Sequence, residues 1–425
     1  MDDNLITMDS DDDEIFDSDE DIFDETVDVM NARLSLTKST RGFRVCHEHS
    51  DEEIDQDTDG CSKCSKLWKH KKDMTIQDVV KEQVLCLLPA KALCRCKSVC
   101  KEWNQWITRP FLAHLQSYSF RDISGLFCQI PYTIKPFFIS LNHSASGVPS
   151  PTLSFLPEDV KVCATCNGLL CCKSHVSFDT KYYICNPANK EWMVLPKPEL
   201  YHGLNSAAVL AFEPTADNVK AHFQLICAVP LIDTPVVYFE IYSSRSNSWR
   251  AAKTECWEPD ALVLNDDGFF LNGVALWETS HSDQVLAFQL KDEQYGTLPL
   301  PQRKGSKGAL SAIHGELCYI LPHEEENEVT MEIYGGLNMS LKYNIPLSPE
   351  ACSEVGGKEL RALPCVNEDL LTLLVGNKMC VYHVKEGKLE IIRNVYTQDG
   401  RFLPYVNSLV PVGQQLVEND EYSGI

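Results

Sequence analysis

Apolar residues recur at helical spacing in residues 75–116, and this pattern predicts three short helices. The apolar face of the first helix consists of Val80, Val84, Leu87 and Leu88. Pro89 ends that helix, because proline lacks a backbone donor and disfavours helix at the preceding residue. The stripe of the second helix consists of Ala92, Cys96, Val99, Trp103 and Trp106. Pro110 suits the first turn of a third helix, and a segment this small needs a partner to bury its apolar faces.

From Tyr118 onward the chain changes to short runs of β-branched and aromatic residues separated by turn residues. Five similar units are visible, and each contains one large apolar anchor near its end. The anchors are Trp192, Trp249, Tyr295, Leu341 and Leu389, with spacings of 57, 46, 46 and 48 residues. A period of this length with several strands per unit predicts a β-propeller. Phe127–Phe155 starts a further unit, so we expect about six blades.

The ring of a propeller must close, and one segment near the end of the chain is suited to close it. Residues 403–410 form the single strand-like run after the last unit, and Pro404 fits the start of a strand, where no ladder donor is needed. We therefore predict that this segment pairs with strands between Tyr118 and Phe155. Pairing there removes the unpaired edge that an open ring leaves.

Charge divides the chain. The net charge is −23, and residues 1–60 hold 21 acidic and four basic residues. These like charges repel one another, and the segment has too little apolar surface to form a core. The predicted order is a disordered acidic tail (1–73), a three-helix domain (74–117), a propeller (118–413) and a C-terminal tail (414–425), which makes the fold class mainly β. The remainder is only mildly acidic, which argues against a general nucleic-acid binder.

Other features of the sequence argue against further classes of protein. No apolar run approaches the roughly 18 residues of a membrane helix, so we expect no membrane partner. The 19 cysteines occur without an export signal, which favours reduced thiols in the nucleus and/or the cytoplasm. The sequence contains no motif typical of hydrolase, phosphate-binding, dinucleotide-binding or zinc-protease sites. The sequence therefore predicts a non-enzyme without a cofactor.

Three groups of residues are candidates for other chemistry. Cys46, His49, Cys61 and Cys64 have a spacing that can hold zinc, but the acidic segment between them favours a solvated loop. Ser10, Ser18 and Ser50 precede acidic residues and are candidate sites for acid-directed kinases, the alternative being a plain solubilising tail. The four cysteines that surround Gly168 occur in a β pattern and are interpreted as core residues: Cys163, Cys166, Cys171 and Cys172.

The helical residues carry a family resemblance. The run from Val84 to Trp103, with Leu88-Pro89, a basic spacer and Val99-Cys100-Lys101-Glu102-Trp103, resembles an F-box. It departs from the family where Ile76-Gln77-Asp78-Val79 replaces the usual leucine-proline pair. The resemblance implies docking on the Skp adaptor of a cullin–RING ubiquitin ligase. The residues that it assigns to this docking are Val84, Leu85, Leu88, Pro89, Leu93, Val99, Cys100 and Trp103.

The β region is similar to the F-box-associated (kelch-like) propeller of plant F-box proteins. Three segments carry this similarity: residues 183–192, residues 240–249 and residues 403–409. The combination implies a substrate-recognition adaptor of a Skp–cullin–F-box ligase, with an unknown protein substrate on the propeller. The alternatives are a propeller-type binding module or enzyme whose helices only pack, and a zinc-bearing nuclear regulator that uses residues 46–72.

Overall fold

The described part of the chain consists of a short helical segment followed by six β-sheets. The computed structural model describes residues 80, 84–120, 123–130, 133–141, 147–175, 180–203, 205–215, 218, 220–231, 234–265, 268–281, 283–325, 328–336, 338–364, 369–395 and 400–412. The predicted acidic tail, the zinc-type residues, the three serines and the C-terminal tail lie outside these residues. The start of the predicted first helix, before Val84, also lies outside them except for Val80.

The helical segment (residues 85–119) begins with a 3-10 turn at Leu85–Leu87 and continues as three α-helices. These are α1 (Ala90–Cys96), α2 (Lys101–Ile107) and α3 (Pro110–Ser119). Leu88 is extended and Pro89 precedes α1, as the sequence predicts for a break at this point. Pro110 occupies the first turn of α3, also as predicted. Among the described residues, no helix is long and apolar enough to span a membrane.

The prediction of one continuous helix over Ala92–Trp106 is wrong, because a turn separates α1 from α2. The Ser98 hydroxyl donates to the carbonyl of Arg95 at 2.7 Å, so it satisfies a carbonyl at the end of α1. Cys100 is extended, and its thiol accepts the backbone N–H of Trp103 at 3.4 Å as the N-cap of α2. Polar side chains that cap helix ends therefore override the apolar periodicity here.

The β region contains 24 named strands in the part of the chain that the structure describes. In chain order they are β1 (Ile123–Gln129), β2 (Phe137–Ser140), β3 (Val160–Cys166), β4 (Leu169–Ser174), β5 (Tyr182–Asn186), β6 (Glu191–Val194), β7 (Ala207–Ala211), β8 (Gln224–Pro230), β9 (Val237–Ser243), β10 (Ser248–Cys256), β11 (Phe269–Leu271), β12 (Val274–Glu278), β13 (Gln284–Gln289), β14 (Gln294–Pro299), β15 (Ser306–Lys307), β16 (Ala309–Ile313), β17 (Glu316–Glu325), β18 (Glu328–Gly335), β19 (Ser340–Pro346), β20 (Leu360–Ala362), β21 (Leu370–Val375), β22 (Lys378–His383), β23 (Lys388–Asn394) and β24 (Arg401–Val406).

These strands form six blades, so the fold is a six-bladed propeller, as predicted. The second to fifth blades are β3–β6, β7–β10, β11–β14 and β16–β19, and the sixth is β20–β23 with β15 added in parallel beside β20. The first blade has the order β2-β1-β24. The first strands of neighbouring blades contact one another, as β3 does with β7 and β24, so these strands surround the centre of the ring. A further helix, α4 (Pro349–Val355), lies between the fifth and sixth blades.

The last strand closes the ring, and this confirms the predicted pairing. β24 pairs antiparallel with β1, in a register that places Leu403 opposite Phe127 and Tyr405 opposite Gly125. Because β24 is an edge strand of this sheet, Pro404 leaves no ladder bond unmade. Phe127 and Tyr405 meet edge to face with ring centroids 5.4 Å apart inside the core of the first two blades.

The predicted anchors occupy one equivalent position. Trp192, Trp249, Tyr295, Leu341 and Leu389 are each the second residue of the fourth strand of their blade. Trp249 is buried, and its indole N–H donates to the carbonyl of Pro196 at 2.7 Å. The sequence period therefore marks the true blade repeat.

Candidate functional site

One side of the helical segment packs against the propeller. Its buried apolar residues share a core cluster with Ala188 and Leu409, which belong to the β region. The helical members of this cluster are Leu85, Cys86, Ala90, Leu93, Ile107 and Leu112. Of the residues predicted to dock on the adaptor, Leu85 and Leu93 are therefore buried in this shared core rather than exposed to solvent.

The opposite side of the helical segment exposes apolar side chains. Val99 is 64% exposed, and Val84, Leu87 and Phe111 are exposed as well. Of the other predicted docking residues, Cys100 is exposed, whereas Leu88, Pro89 and Trp103 are half-buried. Leu87 and Phe111 were not predicted as docking residues, although each follows the helical spacing. Several exposed apolar side chains on one small segment are typical of a protein-binding surface.

Gln116 joins the helical segment to the closing end of the ring. This residue of α3 is fully buried, and its Nε2 donates to the carbonyls of Leu88 at 3.1 Å and Asn407 at 3.2 Å. Its Oε1 accepts the backbone N–H of Leu409 at 2.8 Å. The backbone N–H of Ala90 donates to the same Asn407 carbonyl at 2.9 Å. These bonds fix the orientation of the helices on the propeller.

Asn186 holds the same closing segment from the second blade. Its Nδ2 donates to the carbonyls of Ser408 at 3.0 Å and Val410 at 2.8 Å. Its Oδ1 accepts the hydroxyl of Tyr405 at 2.9 Å. Asn186 and residues 405–409 lie in two of the segments that carry the sequence resemblance, and the structure brings the two together. Ring closure and helix attachment thus depend on one shared segment.

Comparison with known proteins agrees with this architecture. A family model described as the F-box domain matches residues 76–114, and one described as the F-box associated beta propeller domain matches residues 134–335. Together they match more than half of the chain. The chain belongs to the plant F-box proteins with an F-box-associated propeller. The helical segment is therefore the F-box.

Curated relatives from Arabidopsis thaliana are similar over more than half of this chain. F-box protein At5g07610 is 28% identical over 65% of this chain and 71% of its own length. F-box/kelch-repeat protein At3g23880 is 24% identical over 56% of this chain and 68% of its own length. Among solved structures, TolB from Acinetobacter baumannii is similar at a TM-score of 0.38 and 11% identity over 67% of both chains, which is too distant to support any conclusion. F-box proteins generally serve as non-catalytic substrate adaptors of Skp–cullin–F-box ligases.

The propeller of this F-box protein contains a repeated glutamate that sequence reasoning missed. The tripeptide Glu-Ile-Tyr occurs at residues 240–242 in β9 and again at residues 332–334 in β18, the third strands of their blades. Both glutamates are buried. Each accepts hydrogen bonds from the connection that leads into its own blade. The repetition of this tripeptide was the signal available in the sequence.

The two glutamates hold their connections in different ways. Glu240 accepts the backbone N–H groups of Glu199 at 2.7 Å and Leu200 at 3.2 Å, and the ring Nε2 of His202 at 2.7 Å. Glu332 instead forms a bidentate pair with Arg303, at 3.0 and 2.9 Å. The hydrogen bond from Arg303 lowers the pKa of Glu332 below its ordinary value of 4.5.

The cysteines around Gly168 are core residues, as predicted. Cys163, Cys166, Cys171 and Cys172 are buried, and the thiol of Cys166 donates to the carbonyl of Phe212 at 3.1 Å. Burial raises the pKa of Cys171 and Cys172 well above the ordinary thiol value, so both stay protonated. Among the residues that the structure describes, no His, Cys, Asp and Glu side chains are grouped for metal binding.

Proposed function

We propose that this chain is the substrate-recognition subunit of a Skp–cullin–F-box ubiquitin ligase, with its F-box bound to the Skp adaptor and a protein substrate bound to its propeller. The observation that carries the proposal is the division of the F-box into two sides. One side is anchored in the propeller core, and the other exposes apolar side chains. A surface of this kind is typical of a site that binds a protein partner.

The exposed and half-buried residues supply the adaptor contacts. Val84, Val99 and Cys100 reach the partner directly, together with Leu87 and Phe111. The half-buried residues Leu88, Pro89 and Trp103 form the floor of this surface. Leu85 and Leu93 support this surface indirectly, because their buried side chains hold the 3-10 turn and α1 on the propeller.

The function of the chain is to bring two proteins together. A substrate on the propeller is held on the same chain as the F-box, so its effective concentration near the ubiquitin-charged enzyme is high. The buried bonds of Gln116 keep that geometry constant. In this proposal the chain acts in the nucleus and/or the cytoplasm, and it needs no cofactor, nucleic acid or membrane.

Co-expression with the Skp adaptor tests this proposal. The double variant Val84→Asp, Val99→Asp places charges on the exposed side of the F-box, where binding would bury them unpaired, so co-purification should be lost. Leu341→Asp, Tyr343→Asp on β19 is the matched control, because these apolar residues are equally exposed but lie on the fifth blade. Retained binding by the F-box variant, or equal loss by the control, would contradict the proposal.

A further inference from the structure

The ring has two ends, and the F-box occupies one of them. β24 leads into Asn407 and Leu409, which bond to the F-box, so the F-box lies at the end where the first strand of a blade finishes. Ala188, in the turn after the third strand β5, packs on the F-box at this same end. Since strands alternate in direction, the connections after second and fourth strands lie at the opposite end.

Three of those opposite connections surround the third blade and expose large apolar side chains. Tyr201 follows β6 and is 69% exposed, the highest value among the large hydrophobic residues of the described chain. Leu231 follows β8 and is also exposed. Trp257, at 54% exposed, and Val263 follow β10. We call Tyr201, Leu231, Trp257 and Val263 the third-blade patch.

Tyr201 is presented by a loop that buried groups hold in place. Its neighbours in the chain, Leu200 and His202, both bond to the buried carboxylate of Glu240. The carbonyl of His202 accepts the hydroxyl of Thr180 at 2.8 Å, and the next carbonyl accepts Lys173 Nζ at 2.8 Å. Burying a carboxylate is costly, and here the groups that satisfy it are those that shape the loop. A fixed aromatic side chain loses little entropy on binding.

Trp257 is the second aromatic residue of this patch. It directly follows β10, and its side chain is exposed. Tyrosine and tryptophan are among the residue types that dominate binding energy at protein interfaces.

The charge of the three connections indicates the partner's chemistry. Among the described residues of these connections, Glu199 and Glu258 are exposed acidic residues and Lys197 is an exposed basic one. The whole chain shares this sign, with a net charge of −23. A binding segment that carries lysine or arginine beside apolar side chains is therefore favoured, and an acidic one is repelled.

We infer that the third-blade patch is the substrate-docking surface of the propeller, and that it takes a peptide segment combining aromatic or aliphatic side chains with basic ones. This inference rests on the proposed adaptor function. To that function it adds the surface that binds the substrate and the chemical class of the bound segment. Its location places the captured segment at the end of the ring opposite the F-box.

A phage-displayed library of random dodecapeptides, selected on the immobilised full chain bound to the Skp adaptor, tests the inference. Selected peptides should be rich in Lys or Arg together with aromatic or aliphatic residues. The synthetic peptide of highest affinity should bind the double variant Tyr201→Ser, Trp257→Ser at least about tenfold more weakly, measured by fluorescence polarisation. Both substitutions alter exposed side chains, so an unchanged melting temperature confirms that the variant is folded.

Tyr343→Ser is the matched control, because Tyr343 is 61% exposed but lies on the outer strand β19 of the fifth blade. Its affinity for the same peptide should equal that of the unsubstituted chain. The inference is overturned if no peptide is enriched, if the enriched peptides lack basic residues, or if Tyr343→Ser weakens binding as much as the double variant does. Co-purification with the Skp adaptor is scored separately, so failure of the docking surface is distinguishable from failure of the adaptor function.

Discussion

Glu332 shows how a single buried residue makes the propeller sensitive to pH. Its carboxylate accepts two hydrogen bonds from Arg303 and one from the Tyr334 hydroxyl at 2.7 Å, and its pKa lies below the ordinary 4.5. A lowered folded-state pKa means that the charged form stabilises the fold. This stabilisation is complete above the ordinary glutamate pKa and is lost as the pH falls through the lowered value.

Glu332→Gln should therefore reduce the dependence of stability on acid. The free energy of unfolding, measured by urea titration from about pH 7 to about pH 3, should fall less steeply for the variant than for the unsubstituted chain. Glu328→Gln is the control, because Glu328 lies on the same strand β18 but is exposed. Parallel pH profiles for the Glu332 variant and the unsubstituted chain would show that this pair makes no proton-linked contribution.

At the scale of elements, α3 depends on one amide for its attachment to the ring. Gln116→Ala leaves the buried N–H of Leu409 and the Leu88 carbonyl without this partner, which costs about 1–3 kcal/mol for each unpaired group. Urea unfolding should detect this loss, and hydrogen exchange should accelerate at Leu409 and Ala90. Gln105→Ala on α2 is the control, since Gln105 is exposed. Unchanged exchange at Leu409 in the Gln116 variant would disprove the role of this amide.

β24 is the element on which ring closure depends. Truncation after Gly400 removes Leu409, Val410 and Val412. It also removes the four buried apolar side chains of β24, each of which contributes roughly 1.5–3 kcal/mol. These are Phe402, Leu403, Tyr405 and Val406. The sum is comparable to the stability of a whole domain, so the truncated chain should lose its cooperative thermal transition. Truncation after Val412 is the control, because it keeps every described contact of β24. If the chain truncated after Gly400 melts like the full chain, closure of the ring by this strand is refuted.

The elements also show what could be predicted from the sequence. The blade repeat was predictable, because Trp192 and the other anchors recur at one position of every fourth strand. The turn that separates α1 from α2 was not, because the caps formed by Ser98 and Cys100 compete with an apolar stripe that runs through both helices. The contact of Gln116 with Asn407 joins residues 291 positions apart, and no local pattern specifies such a pair.

At the scale of the whole molecule, the two ends of the ring have different properties. The F-box end carries the helices, and residues 90–119 contain five basic residues and one acidic residue. The opposite end carries the third-blade patch on acidic connections. The ring between them is continuous, because β24 closes it and the closing segment also holds the F-box. The F-box and the third-blade patch are therefore separate surfaces of the molecule.

The most direct test of the adaptor function is assembly with purified Skp adaptor and cullin scaffold, measured by size-exclusion chromatography with light scattering. At about 10 µM of each protein, the full chain should elute with both partners as one complex of equal stoichiometry. The double variant Val84→Asp, Val99→Asp should elute alone, with an unchanged melting temperature. Elution of the unsubstituted chain apart from the Skp adaptor would contradict the account, whatever the propeller binds.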